Sequence, residues 1–420
     1  MAANYKFTQN YFSCKILAVA TILKTYRLKI YPSTSQQQKF DKSFGACRFV
    51  WNYFLSERKA AYLKSGDSMN YHQLCLRLTQ LKNGDCQWLC ETQATYLQQS
   101  LRDLDAAYKA FFAKRSGYPS FKKKYSGEQS FRKPNAWRLS GRRLQIERGL
   151  TVYCRGTLPP ANAKTGSLTI KRDACGDYWA TIICQEERNP SQVSTDPIGL
   201  DLGLTHLAIT SEGEKFKNIR IAKATSKQLK ALQQKLARQN KGSKARVSTK
   251  NKIAKLHRRT TNIRTNHLHK VTKMLADKNH AVIVCEDLAV KNMQKNHRLA
   301  GAIADASWGE FIRMLSYKQE WRGHQVAKID RFFPSSKTCS HCSHIIGSLP
   351  LSLRQWTCPK CSTHHDRDIN AAKMVLKHWQ GACQGAEGTD GSRRKAVRVT
   401  GSMKRKVSIK RQPFSSHQIV

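Results

Sequence analysis

The chain has 420 residues, enough for two to four domains with a core in each. Lys and Arg number 74 against 28 Asp and Glu, a net charge of +46, yet 40% of the residues are hydrophobic. This excludes a core-less disordered chain, and a surplus so large repels itself until a polyanion neutralises it: nucleic acid more than a membrane surface, because the basic residues run along the whole chain instead of beside an anchor.

At the N-terminus ILAVATIL (Ile16 to Leu23) is apolar but only eight residues long, too short to span a bilayer. It reads as an extension, residues 1–24, or as part of a first strand. TYRLKIYP alternates like a strand and stops at a proline. STSQQQKFDKSFGACRFVWNYFLSERKAAYLKSG then opens on Ser33, Thr34 or Ser35 as an N-cap and repeats apolar residues at helical spacing from Phe40 to Leu55. A second helical stretch, Thr92 to Lys114, completes a helical bundle over 35–115. Short strands follow to Arg188, predicting a small β-domain over 25–34 and 116–195. From Pro197 the pattern becomes strand, turn, strand, in PIGLDLGLTHLAITSEGEKFK. A long basic helical region (Ala224 to Lys278), the apolar strand HAVIVCEDL, a helix around Ser307 to Arg322 and the strand QVAKIDRF predict an α/β domain over 196–338 and 366–380. The tail, 381–420, carries nine basic residues against two acidic ones and reads as disordered.

Of 14 cysteines only four form a framework, which suits a reducing cytoplasm better than a disulfide scaffold. Cys339, Cys342, Cys358 and Cys361 make a C-x2-C-x15-C-x2-C ribbon, inserted at 339–365. Each CxxC offers two thiolates from one tight turn, and two such turns close a tetrahedron around one structural Zn²⁺ with no open position for water. The carboxylates carry a different message. Asp201 lies inside an apparent strand, Glu286 ends another, and Asp368 lies at the start of a helix in HDRDINAAKMVLKHW. Burying an unpaired carboxylate costs several kcal/mol, roughly, unless a cation or hydrogen bonds compensate. Three of them far apart in the chain are what a two-metal nuclease centre uses, with hard oxygen ligands that favour Mg²⁺ or Mn²⁺. Pattern alone leaves open the choice between Glu286 and Asp287, and between Asp368 and Asp366.

GLDLGLTHLAITSEGE, VCEDL, NHRLAGAIADASWGEFIRML, DRFFPSSKTCSHC and HDRDINAA together resemble the TnpB (OrfB) family encoded by insertion sequences, related to type V CRISPR nucleases. The resemblance spans residues 25–380. It implies an α+β multidomain protein: a small wedge-like β-barrel domain with an inserted helical bundle, and an RNase H-like (RuvC) α/β nuclease domain with an inserted zinc ribbon. It implies Asp201, Glu286 and Asp368 as catalytic ligands of two Mg²⁺ or Mn²⁺ ions, resolving both open pairs. It also implies a guide RNA from the transposon end, a double-stranded DNA target cut beside a short motif, and a cytoplasmic, nucleoid-associated enzyme of prokaryotes. Where the family usually carries a further Asn after NAA, this chain has Met374, which would loosen the third ligand. The ribbon's closed metal site would fix where the helix bearing Asp368 begins.

Basic and aromatic stretches supply nucleic-acid contacts. FKKKYSGEQSFRKPNAWR interleaves Lys122, Lys123, Lys124 and Arg132 with Tyr125, Phe131 and Trp137, for phosphate contacts and base stacking. Arg258 and Arg259, on the long basic helix, are further contacts. Two other functions compete: a DNA transposase acting without RNA, and a nuclease-inactive regulator that only binds nucleic acid. His267-Leu268-His269 matches the histidine pair of a single-strand transposase, but helical spacing around it sets the two rings about 200° apart, too far to share a metal.

Overall fold

The computed structural model describes residues 20–66, 68–124, 128–188, 196–350, 352–384 and 398–400. Tyr125, the extension up to residue 19, and most of the tail (385–397 and 401–420) lie outside the described residues. The chain divides into two compact units, one of residues 20–188 with 228–258, the other of 196–227 with 259–400.

The first unit begins with β1 (Ala20–Tyr31) and α1 (Thr34–Ser65). Ser33 accepts from the Gln36 N–H while the Gln36 side chain accepts from the Ser33 N–H, a capping box that sets the helix start. Helices α2 (Tyr71–Asn83) and α3 (Ala94–Phe112) follow. Then come β2 (Gln129–Lys133), β3 (Arg138–Ser140), β4 (Arg143–Glu147), β5 (Leu150–Arg155), β6 (Lys164–Arg172) and β7 (Tyr178–Arg188). Residues 20–24, expected in an extension or in a first strand, belong to the strand and pair with β7 from Arg188 to Cys184.

Two expectations change here. The β-domain is an open, curled seven-stranded sheet in the order β2-β6-β7-β1-β5-β4-β3, not a closed barrel. Its β2 edge turns to the helices instead of pairing with β3: Phe131 is buried and stacks on Tyr96 with ring centroids 4.4 Å apart, beside Phe40 and Phe44. Phe131 is therefore a core residue and offers no ring to a base. Nor are bundle and sheet separate, because one continuous core joins Phe44, Phe54 and Leu101 of the helices to Leu28, Ile170 and Ile182 of the sheet.

The second unit holds β8 (Ile198–Asp201), β9 (His206–Thr210) and β10 (Lys215–Lys217), then parts of α4 (Ile221–Ala237) and α5 (Lys244–Asp277), and β11 (Val282–Glu286). After α6 (Val290–Met293), α7 (His297–Ala306), α8 (Trp308–Glu320) and β12 (Gln325–Ile329) comes the cysteine ribbon, with β13 (Gln355–Thr357) and β14 (His364–Asp366). Helix α9 (Arg367–Gln384) and β15 (Arg398–Thr400) end the described chain. The sheet order is β10-β9-β8-β11-β12-β15, with β8, β11 and β12 parallel. Strand β15 falls within the tail expected to lack structure and pairs antiparallel with β12.

One face of this sheet buries Ile198, Leu200, Ile283 and Cys285 against Leu268 and Leu275 of α5 and Phe311 and Leu315 of α8. The other face, with Val284 and Ala327, receives Val375 of α9. Strand and helix approach so closely that a Cβ on Gly199 would lie 2.0 Å from the Ala372 carbonyl oxygen. Only glycine fits there. Met374 is buried on α9, as a core residue. Among the described residues no helix is long and apolar enough to cross a membrane.

Candidate active site

Strands β8 and β11 run parallel in register, with Val284 opposite Gly199 and Cys285 opposite Leu200. Side chains alternate along a strand, so the next pair, Asp201 and Glu286, shares the face of Gly199 and Val284, the face that α9 covers. Both stand at the carboxyl ends of their strands, where open α/β sheets place their ligand sites. Helix α9 lays Ala372 and Leu376 against Gly199. Asp368, one helical turn before Ala372, is on that same helix face, in the first turn of α9. Three carboxylates separated by 85 and 82 residues thus meet at one end of the sheet.

Their electrostatics agree. Burial, then the negative charges of Glu286 and Asp368, push the Asp201 carboxyl up to about 7. Burial also raises Glu286, against a 2.5 Å hydrogen bond donated by the Ser335 hydroxyl. Asp368 accepts from the Arg354 guanidinium at 3.2 Å. The three groups do not close to within 4.8 Å of one another; among the described residues only the four cysteines do so. Like charges repel, and Ser335 and Arg354 each bond one of the carboxylates. Neither Ser335 nor Arg354 was singled out in the sequence, because nothing in local spacing marks a residue that reaches a carboxylate 49 or 14 positions away.

The competing carboxylates are occupied elsewhere. Burial would raise Asp287, but Arg331 and Lys328 outweigh it and hold the carboxyl below its usual range. Asp366 accepts the N–H groups of Asp368 and Ile369, capping α9, and pairs with Lys215 at 2.6 Å. Burial opposes these contacts, and they still lower its carboxyl.

In the ribbon the four sulfurs lie within 4.8 Å of one another, with Cys339–Cys361 and Cys342–Cys358 each 3.6 Å apart. A tetrahedral Zn²⁺ at ~2.3 Å from each sulfur requires about 3.8 Å between sulfurs. Cys339 and Cys358 are fully buried, and the donor set fits the ion.

The expected nucleic-acid contacts divide. Arg132 pairs with Asp103 at 3.2 Å, and Arg258 pairs with Asp173 and Asp177, so both brace the fold. The Lys122 ammonium lies 3.9 Å from the Trp51 ring centroid. Lys123, Lys124 and Arg259 are exposed. Trp137 is fixed by its indole N–H to the Gly166 carbonyl. His267 and His269 both lie on α5, with the His267 ring against the Lys217 carbonyl.

A further basic and aromatic surface carries no signal in the local sequence. On the outer face of the first unit's sheet, Tyr31 and Tyr153 stand opposite each other, 45% and 50% exposed, with centroids 5.9 Å apart. Arg143 follows Tyr153 across the next strand pair, and Arg142 and Arg155 line the same hollow. A parallel row runs Lys171, Trp179, Lys29, Arg155 across four strands, in which Lys171 pairs with Glu128 and Lys29 with Asp177. Strand register makes these rows, and register is invisible before the strands are paired.

Comparison with known proteins matches this geometry to a family. Residues 181–297 match the family described as "Probable transposase" (OrfB of IS605), and 308–375 match the "Cas12f1-like, TNB domain". Residues 21–67 match a "Helix-turn-helix domain", although here they form β1 and the single helix α1. A Streptomyces pristinaespiralis protein named "Putative RNA-guided DNA endonuclease" is 34% identical over 84% of this chain and 89% of its own. Escherichia coli "Putative RNA-guided DNA endonuclease InsQ" is 32% identical over 84% of this chain and 92% of its own. Among solved structures, the protein of a Cas12f1-sgRNA-target DNA complex shares the fold, with a TM-score of 0.53 at 12% identity, over 84% of this chain and 98% of that one. With that identity sustained over most of both chains, this protein belongs to the TnpB (OrfB) family.

Proposed function

We propose that the chain is an RNA-guided DNA endonuclease in which Asp201, Glu286 and Asp368 hold a pair of Mg²⁺ or Mn²⁺ ions. The observation that carries this is the register of β8 with β11 under α9, which draws three carboxylates to one end of the sheet. Such ions, when bound, activate a water and stabilise the leaving oxygen of a phosphodiester. The chain's own part is to hold three hard oxygen donors at half-buried positions. Ser335 orients Glu286, and Arg354 offsets charge on Asp368. Asp366 fixes the first turn of α9.

The four cysteines hold one Zn²⁺ as scaffold. The names of the relatives support RNA as guide and DNA as substrate. The Tyr31–Tyr153 pair and the arginines around it suit an unpaired nucleic-acid segment: bases stack on the rings and guanidinium groups meet phosphates. Lys122, Lys123, Lys124 and Arg259 add phosphate contacts.

The test is purification after co-expression with DNA flanking the coding region. Sequencing of bound RNA would come first, then a cleavage assay on a library of randomised adjacent motifs. The expected result is one discrete RNA and cutting that needs both it and Mg²⁺. Asp201→Ala should abolish cutting and spare RNA binding; cleavage that survives it removes Asp201 from the centre.

A further inference from the structure

Asn370 is 1% exposed, and its carboxamide makes both of its bonds to the cysteine ribbon. Its oxygen accepts the Ser340 N–H at 2.9 Å, and its nitrogen donates to the Thr338 carbonyl at 2.8 Å. These two peptide units flank Cys339, so one buried side chain clasps the backbone on both sides of a zinc-ligating cysteine. Asn370 is two residues from Asp368 and two from Ala372, hence about 200° around α9 from the face that meets β8. The helix is therefore pinned on opposite sides. Ala372 and Leu376 bear on Gly199, and Asn370 grips the ribbon.

We infer that Asn370 is a positioning residue that couples zinc in the ribbon to divalent-ion binding at the three carboxylates. The idea rests on the metal sites proposed above. A filled Cys₄ site fixes the peptide on each side of Cys339. Asn370 transmits that to the azimuth of α9, and α9 carries Asp368. Other links join ribbon and helix, but they are weaker handles. Lys377 reaches Ser343 at 3.0 Å and Ser340 at 3.4 Å from an exposed position. His365 meets the Cys339 sulfur at 3.0 Å just before the helix, and at its first two residues the Arg367 N–H meets the Arg354 carbonyl at 2.8 Å, the Arg367 guanidinium meets the Pro350 carbonyl at 2.7 Å and Asp368 meets the Arg354 guanidinium at 3.2 Å. Of these links only Asn370 binds the peptide units on both sides of a ligating cysteine. Coupling between two binding sites is reciprocal, so whatever zinc does for the carboxylate site, an ion there does for zinc.

The experiment measures Mn²⁺ affinity by electron paramagnetic resonance on the full chain, zinc-loaded and zinc-stripped, without DNA. It also measures the rate of zinc loss to a chelator with and without Mn²⁺. In the unaltered protein zinc should tighten Mn²⁺ binding about tenfold, and Mn²⁺ should slow zinc loss, within the ~5–150-fold range of such couplings. In Asn370→Ala, zinc-loaded Mn²⁺ affinity should fall by about that factor, and the coupling should shrink to about twofold or less while zinc still binds at one per chain. Asn370→Asp keeps the acceptor for Ser340 but sets an oxygen against the Thr338 carbonyl. It should lie between the two, and it decides the matter if the alanine variant does not fold. Full coupling in either folded variant overturns the inference. Asp201→Asn and Asp368→Asn separate the two levels: if they leave Mn²⁺ binding intact, the nuclease reading fails and this inference with it. If they abolish binding while Asn370→Ala keeps the coupling, only the inference fails.

Discussion

Asp201 ends β8 with two other carboxylates beside it, and folding moves its carboxyl from an ordinary 3.8 to about 7. Between those values the native chain keeps a proton that the unfolded chain releases. Its contribution to stability is thus complete below the unfolded value and lost as pH rises through about 7. In magnesium-free buffer, raising the pH from about 5 to about 8 should lower the melting temperature of the unaltered protein more than that of Asp201→Asn, whose amide does not ionise. Parallel melting profiles would mean that Asp201 is not the group so strained. Added Mg²⁺ should remove the difference, because a bound cation favours the charged form. The three carboxylates were legible in the sequence as acids where a basic chain has few, two of them at apolar strands. The choice of Glu286 over Asp287 was not legible from the residues alone. It depends on which neighbour faces α9 and which meets Lys328 and Arg331, a matter of strand parity and of cations 41 and 44 residues away.

At the scale of elements, α9 and β8 form the joint on which the site depends. Gly199→Ala would place a methyl group into the Ala372 carbonyl, and backbone cannot swing aside as a flexible side chain can. The variant should lose about 1–3 kcal/mol by chemical denaturation and cleave at least about tenfold more slowly, through displacement of Asp368. Unchanged activity would show that α9 tolerates a shift there. The ribbon makes a separate prediction. Elemental analysis should find about one zinc per chain, and Cys358→Ser should lose most of it, because a tetrahedral structural site needs four ligands. Zinc bound as tightly after that change would exclude the Cys₄ set. Helix α1 and strand β11 were plain from their caps and apolar runs. The open sheet was not: strand patterns in 129–188 fit barrel and sheet alike, and what opens it is the aromatic stack of Phe131 on Tyr96 and beside Phe44, which holds β2 against helices far away in sequence.

Over the whole molecule, 46 excess positive charges make affinity for any polyanion strongly dependent on salt. Two classes of substitution should separate on the outer sheet face. Arg142→Gln and Arg155→Gln should each reduce the slope of log affinity for RNA against log salt by about one. Tyr31→Ala and Tyr153→Ala should weaken RNA binding by about 1–3 kcal/mol each and leave the slope unchanged. If all four act alike, or none acts, this face does not carry RNA. Charge composition points to a polyanion, and of the basic residues it offers, Arg132 and Arg258 also pair with Asp103, Asp173 and Asp177. Counting cations along a chain cannot tell which are already neutralised.

The order of the three acids along the chain also has a kinetic side. Synthesis delivers β8, then β11, and only 82 residues after Glu286 the helix that supplies Asp368 and covers the Val284 face. At roughly 5–20 residues per second the ribosome takes about 4–16 s to bridge that gap. When that interval begins, 51 of the 74 Lys and Arg residues have been joined to the chain, while the third acid has still to be added.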